Sequence, residues 1–127
     1  MPIALACGFL EDGGRILTLT RRSASGGEYF EVPCALLYSG DDPVAALVDV
    51  FRKSACIDAE VHEVLFQRQH NCGSRKRKKW ISALVFKVTA KERVAKPAVP
   101  YVGFKWIPLK DVGKYRFSRD SEWMRPK

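Results

Sequence analysis

The sequence lacks the features that define several common protein classes. Its four cysteines, Cys7, Cys34, Cys56 and Cys72, form no CxxC pair, so we expect no zinc knuckle and instead reduced thiols in buried positions. No apolar run approaches the roughly 18 residues that a membrane span requires. The segment IALAC near the N-terminus follows no basic stretch, which argues against an export signal. We therefore expect a soluble cytoplasmic protein that does not bind a membrane.

What the chain does contain indicates one compact domain. Its 127 residues are 46% hydrophobic, enough for one core but too few for two domains of ordinary size, so we expect a single domain over residues 1–127. Lysine and arginine number 22 against 14 acidic residues, a formal charge of +8. This excess favours an anionic partner, such as a nucleotide phosphate, a nucleic acid or an acidic surface.

The hydrophobic pattern predicts the order β, β, β, α, β, β, β, α. IALACGFL and RILTLT flank the turn EDGG and read as a hairpin, and EYFEVPCALLY is a third extended segment that contains Pro33. AEVHEVLFQRQ and KWISALVFKVT predict a second hairpin with a basic tip, GFKWIPL is a further strand, and a last helix is expected from near Ser118. This order predicts an α/β domain with a mixed sheet between helices.

The stretch SGDDP marks the start of the central helix. Asp41 or Asp42 can act as its N-cap, and Pro43 suits the first turn, where a missing N–H is harmless. Helical spacing then predicts one buried stripe, formed by Val44, Leu47, Val48, Phe51 and Ala55.

Residues 35–57 resemble the box of the Nudix (MutT-like) superfamily, which reads G, five residues, E, seven residues, REUxEExGU, where U is bulky and aliphatic. GDDPVAAL matches the GExPxxAL run of that family, and CID stands where GID is common. RILTLTRR before the box and FKWIPLKDVGKYRFS after it also look like family segments, so the resemblance covers essentially the whole chain. It implies the Nudix α/β/α sandwich and hydrolysis of nucleoside diphosphates linked to another group, with a divalent metal held by box carboxylates.

The box is degenerate at its chemical positions. Phe51, Ile57 and the conservative Asp41 still fit, whereas the other pattern positions differ: Ala35 and Cys56 replace glycines, Asp49 replaces arginine, and Val50, Lys53 and Ser54 replace glutamates. Positions 50, 53 and 54 share one helix face, and Mg²⁺ prefers carboxylate oxygens. We therefore expect no metal and no catalytic residue of the usual kind. Asp41, Asp42 and Asp49 are the weak candidates if Mg²⁺ is nevertheless bound.

The altered helix face suggests a substituted-charge hypothesis. Lys53, with Arg52 beside it, would neutralise part of a pyrophosphate that Mg²⁺ otherwise screens. The alternative is that Lys53 is an ordinary solvated lysine.

A second phosphate-binding candidate is the tip of the second hairpin, which carries the run Arg75, Lys76, Arg77, Lys78 and Lys79. Such a run can contact several phosphates. Trp80 follows it and could stack on a base if it is exposed, although burial in the strand is the simpler expectation. The alternative for the tip is a solvated turn.

Further candidates have weaker support. Tyr29, Phe30 and Phe86 could line a base pocket, yet aromatic residues more often fill a core. His62 and His70 have no companion ligands nearby in sequence. Cys34 and Cys56 show no activating base, so cysteine catalysis is not expected.

The sequence thus supports three hypotheses. The first is a Nudix-fold protein that binds nucleotide, phosphate or RNA without Mg²⁺, as a homodimer or with a partner protein. The second is an active pyrophosphohydrolase with a non-standard metal site. The third is a structural domain that uses the same surfaces for protein contacts.

Overall fold

The computed structural model describes residues 1–124. One α-helix, seven strands and two 3-10 helices lie within this range. The strands are β1 (Ala4–Asp12), β2 (Arg15–Arg22), β3 (Glu28–Glu31), β4 (Cys34–Leu37), β5 (Glu60–Asn71), β6 (Trp80–Thr89) and β7 (Gly103–Pro108). The helix α1 (Pro43–Ala55) follows β4, and the 3-10 helices Leu109–Lys114 and Arg119–Met124 follow β7.

The strands form one mixed sheet that is bent at the β1–β2 hairpin. On one side of the bend β1 pairs with β4 and β6, and β5 lies beyond β6; on the other side β2 lies between β3 and β7. The β1–β6 pair is parallel, and every other strand pair is antiparallel among the described residues. Both predicted hairpins, β1–β2 and β5–β6, are confirmed.

The third predicted extended segment is in fact two strands. β3 pairs with β2, whereas β4 pairs with β1, so residues 28–37 pass from one half of the sheet to the other. Pro33 lies at the break between them. Proline has no N–H for a strand ladder, and its fixed φ favours such an interruption.

Alternating residues of the sheet face two different layers, which confirms the predicted α/β sandwich. Leu17 and Leu19 pack in a core cluster with Leu47 and Phe51 of α1. Ile16, on the opposite face of the same strand, packs in a second cluster with residues of both 3-10 helices. The predicted second helical layer is therefore made of 3-10 turns in the described part of the chain, and the helix expected near Ser118 begins at Arg119.

The helix α1 begins and ends with defined caps. Asp42 is the N-cap, with its carboxylate accepting a bond from Val44 N at 3.1 Å, and Pro43 is the first helical residue. Cys56 ends the helix in the left-handed region, at φ 56°. Glycine is favoured there, which explains in physical terms why GID is common at this point of the Nudix box.

The predicted apolar stripe of α1 is correct at its centre and wrong at its start. Leu47, Phe51 and Ala55 are fully buried, but Val44 is 39% exposed and Val48 is half-buried. The buried side of α1 is therefore formed by its middle and last turns. No helix in the described residues has the length and apolarity that crossing a membrane requires.

Candidate functional site

The two acids at the start of α1 hold the loop that precedes the helix. Asp42 caps the helix, and Asp41 Oδ2 accepts a hydrogen bond from Tyr38 N at 2.8 Å. Both residues were weak catalytic candidates. In the structure one oxygen of each carboxylate already accepts a backbone N–H, so both side chains have a structural role.

The outer face of α1 carries two exposed ion pairs. Lys53 Nζ lies 3.0 Å from Asp49 Oδ2, one helical turn away, and Arg52 Nε lies 3.7 Å from Asp58 Oδ1. Exposed pairs of this kind contribute little to stability, because both charges are also solvated and the side chains lose entropy when they pair. The two predicted phosphate ligands are therefore held near an acid, from which an incoming phosphate would have to displace them.

The residues on this face do not fit a bound Mg²⁺. Val50 and Ser54 are half-buried, Lys53 is exposed, and Asp49, the acid nearest to them in sequence, is paired with the Lys53 ammonium. Across residues 1–124, no group of three or more His, Cys, Asp or Glu side chains converges as a metal site would require. A hard cation needs several oxygen ligands, which this face does not offer.

The segment before β7 covers the end of this helix. Lys96 N donates to Ala55 O at 2.8 Å, and Ala98 N donates to Ser54 O at 3.0 Å. These bonds satisfy carbonyls that a helix C-terminus would otherwise leave unpaired. They place residues 96–98 directly beside the altered box positions.

A buried polar network, which the sequence analysis did not identify, lies close to this segment. The Tyr101 hydroxyl donates to Glu31, and Arg21 Nη1 lies 3.5 Å from the other carboxylate oxygen of Glu31. Glu31 is only 8% exposed. Burial, followed by the hydrogen bond to Glu31, raises the pKa of Tyr101, so its hydroxyl remains protonated and donates at neutral pH.

The sequence contains no local signal for this network. Glu31 lies between the apolar Phe30 and Val32 in a strand, and such alternation predicts a polar side chain that faces solvent. Its partner Tyr101 is 70 residues away along the chain, and no local pattern links the two.

The predicted stacking aromatics differ in accessibility. Phe30 and Phe86 are 8% and 7% exposed and belong to core clusters, as the core-filling alternative expected, so a stacking role for Phe30 is not supported. Tyr29 is half-buried, with the guanidinium carbons of Arg21 and Arg116 at 5.8 Å and 5.4 Å from its ring centroid. These contacts are within the range of cation–π attraction.

The simpler expectation for Trp80, burial in its strand, is wrong. Trp80 is 57% exposed because it begins β6 opposite Asn71, where the hairpin extends past the core. The five basic residues of the tip lie in the preceding loop, and Lys79 is half-buried while the others are exposed. The structure therefore brings Trp80 and the basic run together at the tip of the β5–β6 hairpin.

The cysteines and histidines lie in different environments. Burial, and then the contact with Cys7 at 2.7 Å between the sulfurs, raises the pKa of Cys34, which keeps it a protonated thiol. Cys56 is exposed, contrary to the expectation of burial. His70 is buried with Nε2 3.5 Å from Asp120 Oδ1, and His62 Nε2 lies 2.7 Å from Thr89 Oγ1.

Comparison with known proteins finds similar structures but no similar sequences. No protein-family model matches the chain, and no curated protein matches it significantly. A MutT Nudix hydrolase from Burkholderia pseudomallei superposes with a TM-score of 0.72 at 16% identity, covering 98% of this chain and 96% of that one. An ADP-ribose pyrophosphatase from Streptococcus suis gives 0.69 at 12% identity, over 98% and 85% of the two chains.

A third similar structure contains a bound nucleotide derivative. The Nudix domain of Shewanella oneidensis NrtR, crystallised with ADP ribose, gives a TM-score of 0.64 at 12% identity, over 94% of this chain and 81% of that one. At sequence identities of 12% and 16%, these comparisons show that the backbones are arranged in the same way. The protein therefore has the Nudix fold.

Proposed function

We propose that this Nudix-fold protein binds the phosphates of a nucleotide derivative at the outer face of α1 without a metal held by the box. The observation that carries the proposal is the 3.0 Å ion pair between Lys53 and Asp49, since it puts an ammonium on the face where the Nudix box has glutamates. Val50 and Ser54 beside it provide no carboxylate. The fold supports the ligand class, because one similar Nudix domain was crystallised with ADP ribose.

Lys53 can serve this role because it is not locked in place. Its side chain is 75% exposed, and its acidic partner Asp49 is 52% exposed. A phosphate group presents more charge and more acceptor oxygens than one carboxylate does, so it can take over the ammonium as a charge-assisted partner. Arg52, one position earlier in the helix, can provide a second cation when it leaves Asp58.

Thermal unfolding with ADP-ribose tests the proposal. We expect ADP-ribose to raise the melting temperature equally with Mg²⁺ and with EDTA, because no metal takes part. A ligand at 100 times its Kd stabilises the folded state by about 2.7 kcal/mol. Lys53→Ala should reduce this stabilisation, whereas Lys87→Ala, which removes an exposed lysine on β6, should not. Loss of all binding in EDTA, or an unchanged affinity in Lys53→Ala, would contradict the proposal.

The same panel separates the two alternative functions. Mg²⁺-dependent hydrolysis of ADP-ribose to AMP and ribose 5-phosphate would support the hydrolase hypothesis, which the hydrolases among the similar structures favour. The combined change Val50→Glu, Lys53→Glu and Ser54→Glu then shows whether the three glutamates alone restore that reaction. Absence of both binding and turnover would favour a protein-interaction domain.

A further inference from the structure

A concave surface lies at the tip of the β5–β6 hairpin. It has a volume of about 600 Å³ and lies between the basic loop and the second 3-10 helix. Its lining combines aromatic and basic side chains, in particular Trp80, Trp123, Arg75 and Arg119. Trp80 forms the exposed wall, while Trp123 is half-buried and packs edge-on against Phe66 at 6.1 Å between ring centroids.

The loop that carries the basic run is held in one conformation by its own hydrogen bonds. Asn71 Oδ1 accepts bonds from Gly73 N at 3.0 Å and Lys79 N at 2.9 Å, and its Nδ2 donates to Ser74 O at 3.2 Å. A Cβ atom on Gly73 would lie 2.2 Å from Arg77 O, so this close turn requires glycine. The loop backbone is thus preorganised, which lowers the entropy lost on binding.

The charges of this loop are not neutralised by neighbouring acids. Within the described part of the chain, none of Arg75–Lys79 forms an ion pair. Of the nearby acids, Asp120 faces His70 at 3.5 Å, and Glu122 is the acid in the lining of the concavity. Arg119 is oriented by donating to Asn71 O at 3.1 Å. The contrast with α1 is clear, since both cations there are paired.

We propose that this tip concavity binds single-stranded nucleic acid, with a base stacked on Trp80 and the adjacent phosphates on the basic loop. An exposed indole beside unpaired cations matches the combination of stacking and backbone contacts that such proteins use. The lining of the concavity comes from β5, the hairpin loop, β6 and the second 3-10 helix, whereas the cations of the first proposed site belong to α1. Binding here therefore does not depend on the function proposed for α1.

Fluorescence anisotropy with labelled ten-nucleotide RNA and DNA tests the charge contribution. Arg75→Ala, Lys76→Ala and Lys78→Ala together should weaken binding and flatten its salt dependence. The log–log slope should decrease in magnitude by about 2, at roughly 0.7 per phosphate contact. The control with the same net charge is Lys87→Ala, Lys91→Ala and Lys110→Ala, three exposed lysines outside the tip. Equal weakening by both triple variants would show attraction by net charge only and overturn the proposal.

Substitutions of Trp80 test the stacking contribution. Trp80→Ala should weaken binding roughly 5- to 150-fold, the range for loss of one stacked base, whereas Trp80→Phe should retain most of the affinity. Circular dichroism checks that the variants fold. Unchanged affinity in Trp80→Ala would show that no base stacks on Trp80.

Binding to vesicles that contain an anionic lipid tests a membrane surface as the alternative ligand. If the protein bound vesicles more tightly than either oligonucleotide, and the same substitutions weakened that binding, the ligand of this site would be a membrane surface and not nucleic acid. Equal affinity for RNA and DNA is expected, because stacking and phosphate contacts do not involve the 2′-hydroxyl.

Discussion

Removal of the Tyr101 hydroxyl should destabilise the protein through the buried carboxylate of Glu31. In Tyr101→Phe, the contact with Arg21 at 3.5 Å is the one that Glu31 keeps within residues 1–124, although Glu31 is 8% exposed and poorly reached by water. A hydrogen bond to a charged group is worth about 1.5–3 kcal/mol. For a domain of this size, that loss lowers the melting temperature by roughly 5–15 °C.

Urea denaturation monitored by circular dichroism measures this change directly. The matched control is Tyr38→Phe, because Tyr38 is 47% exposed, so we expect a change within about 0.5 kcal/mol. A double-mutant cycle with Glu31→Gln isolates the pair, and we expect a coupling energy of about 0.5–3 kcal/mol. If Tyr101→Phe were as stable as the control, Tyr101 and Glu31 would not share a buried bond.

Two further predictions concern packing and pH. Gly8→Ala places a Cβ 2.3 Å from the fully buried ring of Phe51, so overpacking should reduce the free energy of unfolding by about 1–3 kcal/mol in urea; Gly27→Ala, whose Cβ meets nothing nearer than 3.5 Å, is the control, and equal losses would argue against the contact. Burial lowers the pKa of His70 despite the opposing charge of Asp120. The unfolded chain therefore binds a proton at His70 more readily than the folded protein does. The free energy of unfolding is thus unaffected by His70 above about pH 6.5 and decreases as the pH falls below it. His70→Gln should flatten that part of the pH–stability curve, and an unchanged slope would contradict the assignment.

Elements that depend on nearby residues were predictable from the sequence. The β1–β2 turn, the cap at Asp42 with Pro43 behind it, and the β5–β6 hairpin each follow from contacts within a few positions. The central part of the α1 stripe follows for the same reason, since helical spacing decides which residues face the sheet. The resemblance to the Nudix box also depends on these local sequence features, and the observed fold is the one that the resemblance implies.

Features that depend on distant residues were not predictable in the same way. The split at Pro33 requires knowing that β1 and β2 diverge, and the exposure of Trp80 requires knowing how far the hairpin extends beyond the core. The partners Glu31 and Tyr101 meet only through the fold. Likewise, the sequence showed Lys53 among altered box positions but could not show that its ammonium is paired with Asp49.

The parallel β1–β6 pair has a consequence for the order of events during synthesis. Ala4 of β1 pairs with Ser82 of β6, and Thr20 of β2 pairs with Gly103 of β7, so both halves of the sheet need strands from the second part of the chain. At about 5–20 residues per second, the ribosome adds the intervening residues over several seconds. During this time the apolar faces of the first hairpin lack their sheet partners. The nascent protein therefore reaches its native sheet late, and its early strands are a natural target for chaperones.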